Sequence, residues 1–158
     1  MDGRCTCGEI RYRLTRTPLF VHACHCTWCQ RETGTAFALN ALIETDVIAL
    51  LAGQPELIAT PSASGKGQDI ARCPRCHVAL WSHYAGGGRT FAFVRVGTLA
   101  HPAQCPPDIH IYTSTRLPWL TLDDRVPVLP GYYDRKLFWP AASLERRARA
   151  LARGRDQA

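Results

Sequence analysis

Cys24–Phe37 reads CHCTWCQRETGTAF and packs three cysteines, Cys24, Cys26 and Cys29, into six positions ahead of a polar, glycine-containing run. A Cys-x-x-Cys turn can aim both sulfurs at one point, because backbone N–H groups in the turn face the thiolates and offset their charge. A Cys-x-Cys pair can do the same on an irregular segment. Tetrahedral zinc takes four protein ligands in a structural site and three in a catalytic one. The triplet therefore has three readings. Its fourth position is open to water or substrate, or Cys105 or a histidine closes it, or the cysteines are redox-active.

Working outward, CTC at Cys5/Cys7 and CPRC at Cys73/Cys76 supply four more closely spaced cysteines, while Cys105 in AQCPPD stands alone between prolines. A Zn–S bond near 2.3 Å sets tetrahedral sulfurs about 3.8 Å apart, too far for a disulfide and too close for unneutralised thiolates. Joining CTC with CPRC predicts a four-cysteine structural zinc site. Such a site pins the N-terminus to the middle of the chain and contributes folding free energy directly. His25 lies between two triplet cysteines and is expected to point away from them. His22, His83, His101 and His110 read as satisfied surface or core histidines.

After the triplet, QRETGT offers Gln30, Arg31, Thr33 and Thr35 as hydrogen-bonding groups, and Gly34 permits a close backbone approach. A purely structural knuckle does not need this set, so Arg31, Thr33, Gly34 and Thr35 are candidate substrate-binding residues. Arg31 can grip a carboxylate through its bidentate fork. The plainer reading of the same residues is a polar turn leading into a strand. Trp119, in LPWL, is expected in the core.

At 158 residues, with 46% apolar and 20% charged residues, the chain fits one ordinary globular domain. No apolar run approaches a membrane span. Met1–Arg4 leads straight into the first cysteine pair with no apolar signal region, so a cytoplasmic address is expected, where thiols stay reduced. Residues 136–158 carry +4 of the formal +6. Seven thiolates on two zinc ions would bring the remainder to about −1, which argues against a nucleic-acid surface there. The basic tail reads as a solvated helix face.

EIRYRL (9–14) alternates, with Ile10, Tyr12 and Leu14 on one face and Arg11 and Arg13 on the other. TAFALNALI (35–43), TFAFVRVGTL (90–99) and DIHIYT (108–113) are further strand candidates, TPSASGKGQD (60–69) is a loop, and AGGGR (85–89) is a tight turn. Pro140 opens a helix over about Ala141–Arg153 with Leu144, Ala148 and Leu151 along one stripe. The pattern predicts a mostly β domain over 1–135 and a C-terminal basic helix and tail over 136–158.

With both cysteine sets placed, the sequence resembles the glutathione-dependent formaldehyde-activating enzyme family, which includes the centromere protein V type domains. CTCGEIRY, CHCTWCQRETGTAF, CPRCHVALW, VRVGTL and HIYTSTRLPWLTLDD carry the resemblance, in order, from about Gly3 to Asp124. It implies a single tent-like, zinc-binding β domain. It further implies a structural zinc on Cys5, Cys7, Cys73 and Cys76 and a catalytic zinc on Cys24, Cys26 and Cys29. Two departures stand out: His77 follows Cys76 where the family usually has glycine, and Ala100-His101 follows VGTL where many members are acidic.

The family name implies addition of the glutathione thiol to formaldehyde, giving S-hydroxymethylglutathione, a carbon–sulfur lyase reaction in the reverse sense. Three thiolates set −3 against +2, an electron-rich site and a weak Lewis acid. Thiol delivery or substrate orientation is therefore expected over strong carbonyl activation. The alternative is a zinc-stabilised binding or interaction module without catalysis. A small thiol is the expected partner, with no nucleic acid and no membrane.

Overall fold

Ile10, Tyr12 and Leu14 are buried while Arg11 and Arg13 are exposed, so the alternation of EIRYRL becomes a half-buried strand as expected. In the computed structural model, which describes residues 1–156, this strand sits in the middle of a three-stranded sheet. That sheet joins β1 (Asp2–Arg4), β2 (Arg11–Leu14) and β5 (Ile48–Ala52) in the order β1-β2-β5. Gly3 pairs with Tyr12 across it, and a Cβ at Gly3 would lie 2.2 Å from the Tyr12 ring. Glycine is what lets the phenol cross the strand and donate its proton to Thr98 Oγ1 at 2.6 Å.

The second sheet holds β3 (Phe20–Cys24), β4 (Ala38–Glu44), β6 (Glu56–Thr60), β7 (Gln68–Arg72), β8 (Ala79–Tyr84), β9 (Phe91–Arg95) and β10 (Ile109–Ile111). Its order is β10-β3-β4-β9-β8-β7-β6, antiparallel except where β10 runs parallel to β3. One core cluster gathers Ile10, Tyr12 and Leu14 of the small sheet with Ala41, Ile43 and Val94 of the large one, and with Trp81, edge-on to Tyr12 at 5.5 Å. A second cluster gathers Phe20, Leu42, Phe91 and Ile109 under the C-terminal helices. In β3 and β4, alternate residues therefore serve opposite faces. Phe20, His22 and Cys24 share one, and His22 stands directly opposite Asn40, which stands directly opposite Arg95.

Three α-helices, α1 (Thr27–Thr33), α2 (Arg135–Phe138) and α3 (Ala141–Asp156), join the sheets among the described residues, with short 3-10 turns in the connections. The polar run after the triplet is thus a short helix rather than a turn into a strand, and β4 begins only at Ala38. It buries no residue, so no apolar period marked it. Pro140 does open α3, but Ala148 is exposed; the inward stripe is Ser143, Leu144, Ala150 and Leu151, with Arg147 over the Phe91 ring. Nor is the basic helix wholly a solvated face. Arg146 grips the buried Glu44 carboxylate through Nε at 3.1 Å and Nη2 at 2.6 Å, and donates to Thr17 O at 3.0 Å. Residues 157–158 of the expected tail lie outside the described residues. Trp119 is 69% exposed, not in the core: it sits beside Pro118 in a stretch with little regular structure.

Candidate metal centres and an adjoining cavity

Cys5, Cys7, Cys73 and Cys76 bring their sulfurs within 4.8 Å of one another. Two of the contacts, Cys5–Cys7 at 3.5 Å and Cys7–Cys73 at 3.7 Å, are near the roughly 3.8 Å spacing of tetrahedral thiolates. None is a disulfide; all eight cysteines are free. Backbone N–H groups point at the sulfurs, from Ile10 to Cys5 at 3.3 Å and from Cys76 to Cys73 at 3.5 Å. Each knuckle then turns through a left-handed residue, Gly8 (φ 77°) in one and His77 (φ 59°) in the other. That conformation is strained for any side chain with a Cβ. It explains why glycine suits this position and makes His77 a costly departure.

The triplet converges as well. Cys24, at the end of β3, meets Cys26 and Cys29 with all three sulfurs within 4.8 Å. Cys26 caps α1, its sulfur accepting from Cys29 N at 3.3 Å. Without a cation the three thiols share one charge unevenly. Hydrogen bonds from Cys24 and Cys29 pull Cys26 down to about 2, while the same contacts push Cys24 far up. A divalent cation would relieve that conflict, so the donor chemistry of both clusters fits a bound metal. Among the described residues, no histidine, carboxylate or further cysteine joins the triplet within 4.8 Å. Cys105 packs instead in the first core cluster with Cys5 and Tyr12.

Cys24, Cys26 and Cys29 form part of the wall of a cavity of about 430 Å³. The sheet contributes His22, Asn40, Tyr84 and Phe93; the strand after β9 contributes Ile111 and the next residue, Tyr112, whose φ of 55° is again left-handed. Trp28 of α1 donates its indole N–H to Pro61 O at 3.1 Å, latching the Ser62–Ser64 loop over one side. Tyr132 closes another side. Behind the wall, the Trp139 indole can only donate, and it does so to Tyr133 Oη at 2.6 Å. The Tyr133 hydroxyl also lies 2.6 Å from His22 Nε2, so one oxygen ties the indole to the imidazole, while His22 Nδ1 is buried without a partner among the described residues. Burial keeps that ring neutral, with its pKa down to about 4.

Of the sequence-selected polar residues, Gln30 bridges His25 O at 2.8 Å and Thr115 O at 3.0 Å, fixing α1 against the segment after β10. Arg31, Thr33, Gly34 and Thr35 are not in the cavity wall. Thr33 donates to Cys29 O at 2.8 Å, Thr35 to Phe37 O at 2.6 Å, and Gly34 ends the helix in the left-handed region. Arg31 is exposed. His25 points away from the sulfurs, bonding His110 through Nε2–Nδ1 at 2.9 Å. Sequence reasoning missed Asn40, Tyr84, Phe93, Tyr112, Tyr132 and the Ser62 loop. The one available signal was Asn40, a polar residue inside an apolar strand.

No helix among the described residues is long and apolar enough to cross a membrane. A protein of Halomonas elongata, named provisionally as a glutathione-dependent formaldehyde-activating enzyme, is 24% identical over 132 residues, covering 79% of this chain and 82% of its own. A crystal structure of a Rhodobacter sphaeroides protein is similar with a TM-score of 0.48 and 16% identity, covering 81% of this chain and 99% of that one. The pattern of the glutathione-dependent formaldehyde-activating enzyme family matches residues 1–115, a span that contains all eight cysteines; the chain belongs to that family.

Proposed function

We propose that this chain is a zinc-dependent enzyme of the carbon–sulfur lyase type, forming or cleaving a small thiol adduct such as S-hydroxymethylglutathione. In this reading Cys5, Cys7, Cys73 and Cys76 hold a structural zinc, in a tent-like β domain, and Cys24, Cys26 and Cys29 hold a catalytic one. The observation that carries it is the triplet itself: three convergent sulfurs, no fourth protein donor among the described residues, and a cavity at their side. Zinc on three thiolates would supply a positive centre that binds a substrate thiolate and lowers its pKa.

The chain's own residues do the rest. Trp28, Tyr84, Phe93, Tyr112 and Tyr132 give the cavity aromatic walls that exclude water from a small adduct. Gln30 and the Cys26 cap hold α1, and with it Cys29, in place. Arg31 and the Thr33–Gly34–Thr35 turn are assigned to the part of the thiol that extends beyond the cavity, Arg31 meeting a carboxylate. Eight free cysteines suit a reducing, cytoplasmic compartment.

The test is turnover of S-hydroxymethylglutathione and related thiol adducts by the zinc-loaded protein, compared with Cys26→Ser and Cys105→Ser. The expected result is a rate above background that Cys26→Ser abolishes and Cys105→Ser leaves intact. No rate above background across the panel would instead mark a zinc-stabilised binding module.

A further inference from the structure

Arg95 is a buried cation with no carboxylate partner among the described residues, lying near the Cys29 sulfur. Its residue is 8% exposed, and its guanidinium donates to two neutral groups, Asn40 Oδ1 and, at 2.9 Å, Ser82 Oγ. Burying a charge in this way is expensive, so the arrangement calls for a reason. Its effect on Asn40 is specific. A guanidinium has five donors and no acceptor, so only the amide oxygen can face it. The Asn40 amino group must therefore point the other way. That group has no hydrogen-bond partner among the described residues, on a side chain that lines the cavity beside Cys24 and Cys29.

We propose that Asn40 is the donor that binds the oxygen of the carbon–sulfur adduct, and that Arg95 is the positioning residue that locks its amide in the donating orientation. The assignment rests on the carbon–sulfur reading above and names the group that selects its substrate. In cleavage the carbon–sulfur bond breaks and its electron pair goes to sulfur. The hydroxyl proton passes to water, and the oxygen becomes the carbonyl oxygen of formaldehyde. In the reverse direction the thiolate adds to the carbonyl carbon, and the oxygen gains negative charge before water protonates it. A fixed N–H donor at that oxygen is worth most when the charge is greatest. A hydroxymethyl or carbonyl oxygen is thus favoured over an S-alkyl group of the same size.

The experiment uses the full zinc-loaded chain and two ligands, S-hydroxymethylglutathione as substrate and S-methylglutathione, which lacks the oxygen, as inhibitor. Asn40→Leu is expected to lower kcat about 100-fold, as loss of an oxyanion donor does, while leaving inhibition by S-methylglutathione and the metal content unchanged. Asn40→Asp, which keeps the shape and can bond Arg95 but offers the cavity no donor, gives the same loss and serves should the leucine variant misfold. Arg95→Gln frees the amide to rotate and lowers kcat about tenfold; Arg95→Lys, again a donor without an acceptor, restores most of it. Asn40 variants that keep both metals and turn over within threefold of wild type overturn the proposal, as does parallel loss of S-methylglutathione binding, which would make Asn40 structural. A wild type without turnover overturns the carbon–sulfur reading itself, and this assignment with it.

Discussion

Tyr133→Phe removes one oxygen atom and strands two buried polar groups. The Tyr133 hydroxyl lies 2.6 Å from Trp139 Nε1 and 2.6 Å from His22 Nε2, in residues 6% and 2% exposed. A buried donor or acceptor left without a partner costs about 1–3 kcal/mol. With two orphaned and the ring still filling its space, the loss is about 2–6 kcal/mol. Urea unfolding of the metal-loaded protein, followed by circular dichroism and tryptophan fluorescence, measures it as a lower midpoint at unchanged slope. Tyr132→Phe is the control. Tyr132 lines the cavity, and its hydroxyl makes no hydrogen bond among the described residues, so the change should stay within about 0.5 kcal/mol. If Tyr133→Phe also stayed within that range, the hydroxyl would not be serving both partners.

Other outcomes follow from the same geometry. Arg146→Met leaves Glu44, 2% exposed, as an uncompensated buried carboxylate and should cost about 3–5 kcal/mol; adding Glu44→Gln should recover more than half, and unfolding of both variants checks it. Burial raises the Tyr12 phenol from 10 to about 12, so the unfolded chain loses its proton first as the pH rises. Stability from this group is therefore full below pH 10 and falls by about 3 kcal/mol towards pH 12, a decline that Tyr12→Phe should remove from an alkaline unfolding series. His77→Gly relieves a left-handed residue and should raise stability by about 0.5–1 kcal/mol; a decrease would mean that the imidazole makes a compensating contact.

What could be read from the sequence was what short-range chemistry determines. Cys-x-Cys and Cys-x-x-Cys spacings fix sulfur convergence locally, so both clusters were legible, as was the β2 alternation of Ile10, Tyr12 and Leu14. The cavity was not, because strand register builds it. His22, Asn40 and Arg95 are 18 and 55 residues apart along the chain, yet stand side by side across β3, β4 and β9. No local pattern encodes that pairing. The α1 helix escaped because seven residues without a buried position show no period. Arg146 was misjudged for a related reason: its charge looked solvated until the fold brought Glu44, 102 residues away in sequence, against it.

The most direct measurement is zinc X-ray absorption on the fully loaded protein, with total zinc counted on the same sample and on Cys105→Ser. The proposed pair of sites predicts two zinc ions per chain and an average of about 3.5 sulfur neighbours at about 2.3 Å, the remainder being a lighter atom at the triplet, unchanged by Cys105→Ser. Four sulfurs per zinc, or loss of one ion in Cys105→Ser, would show the triplet closed by protein and leave no position for a substrate.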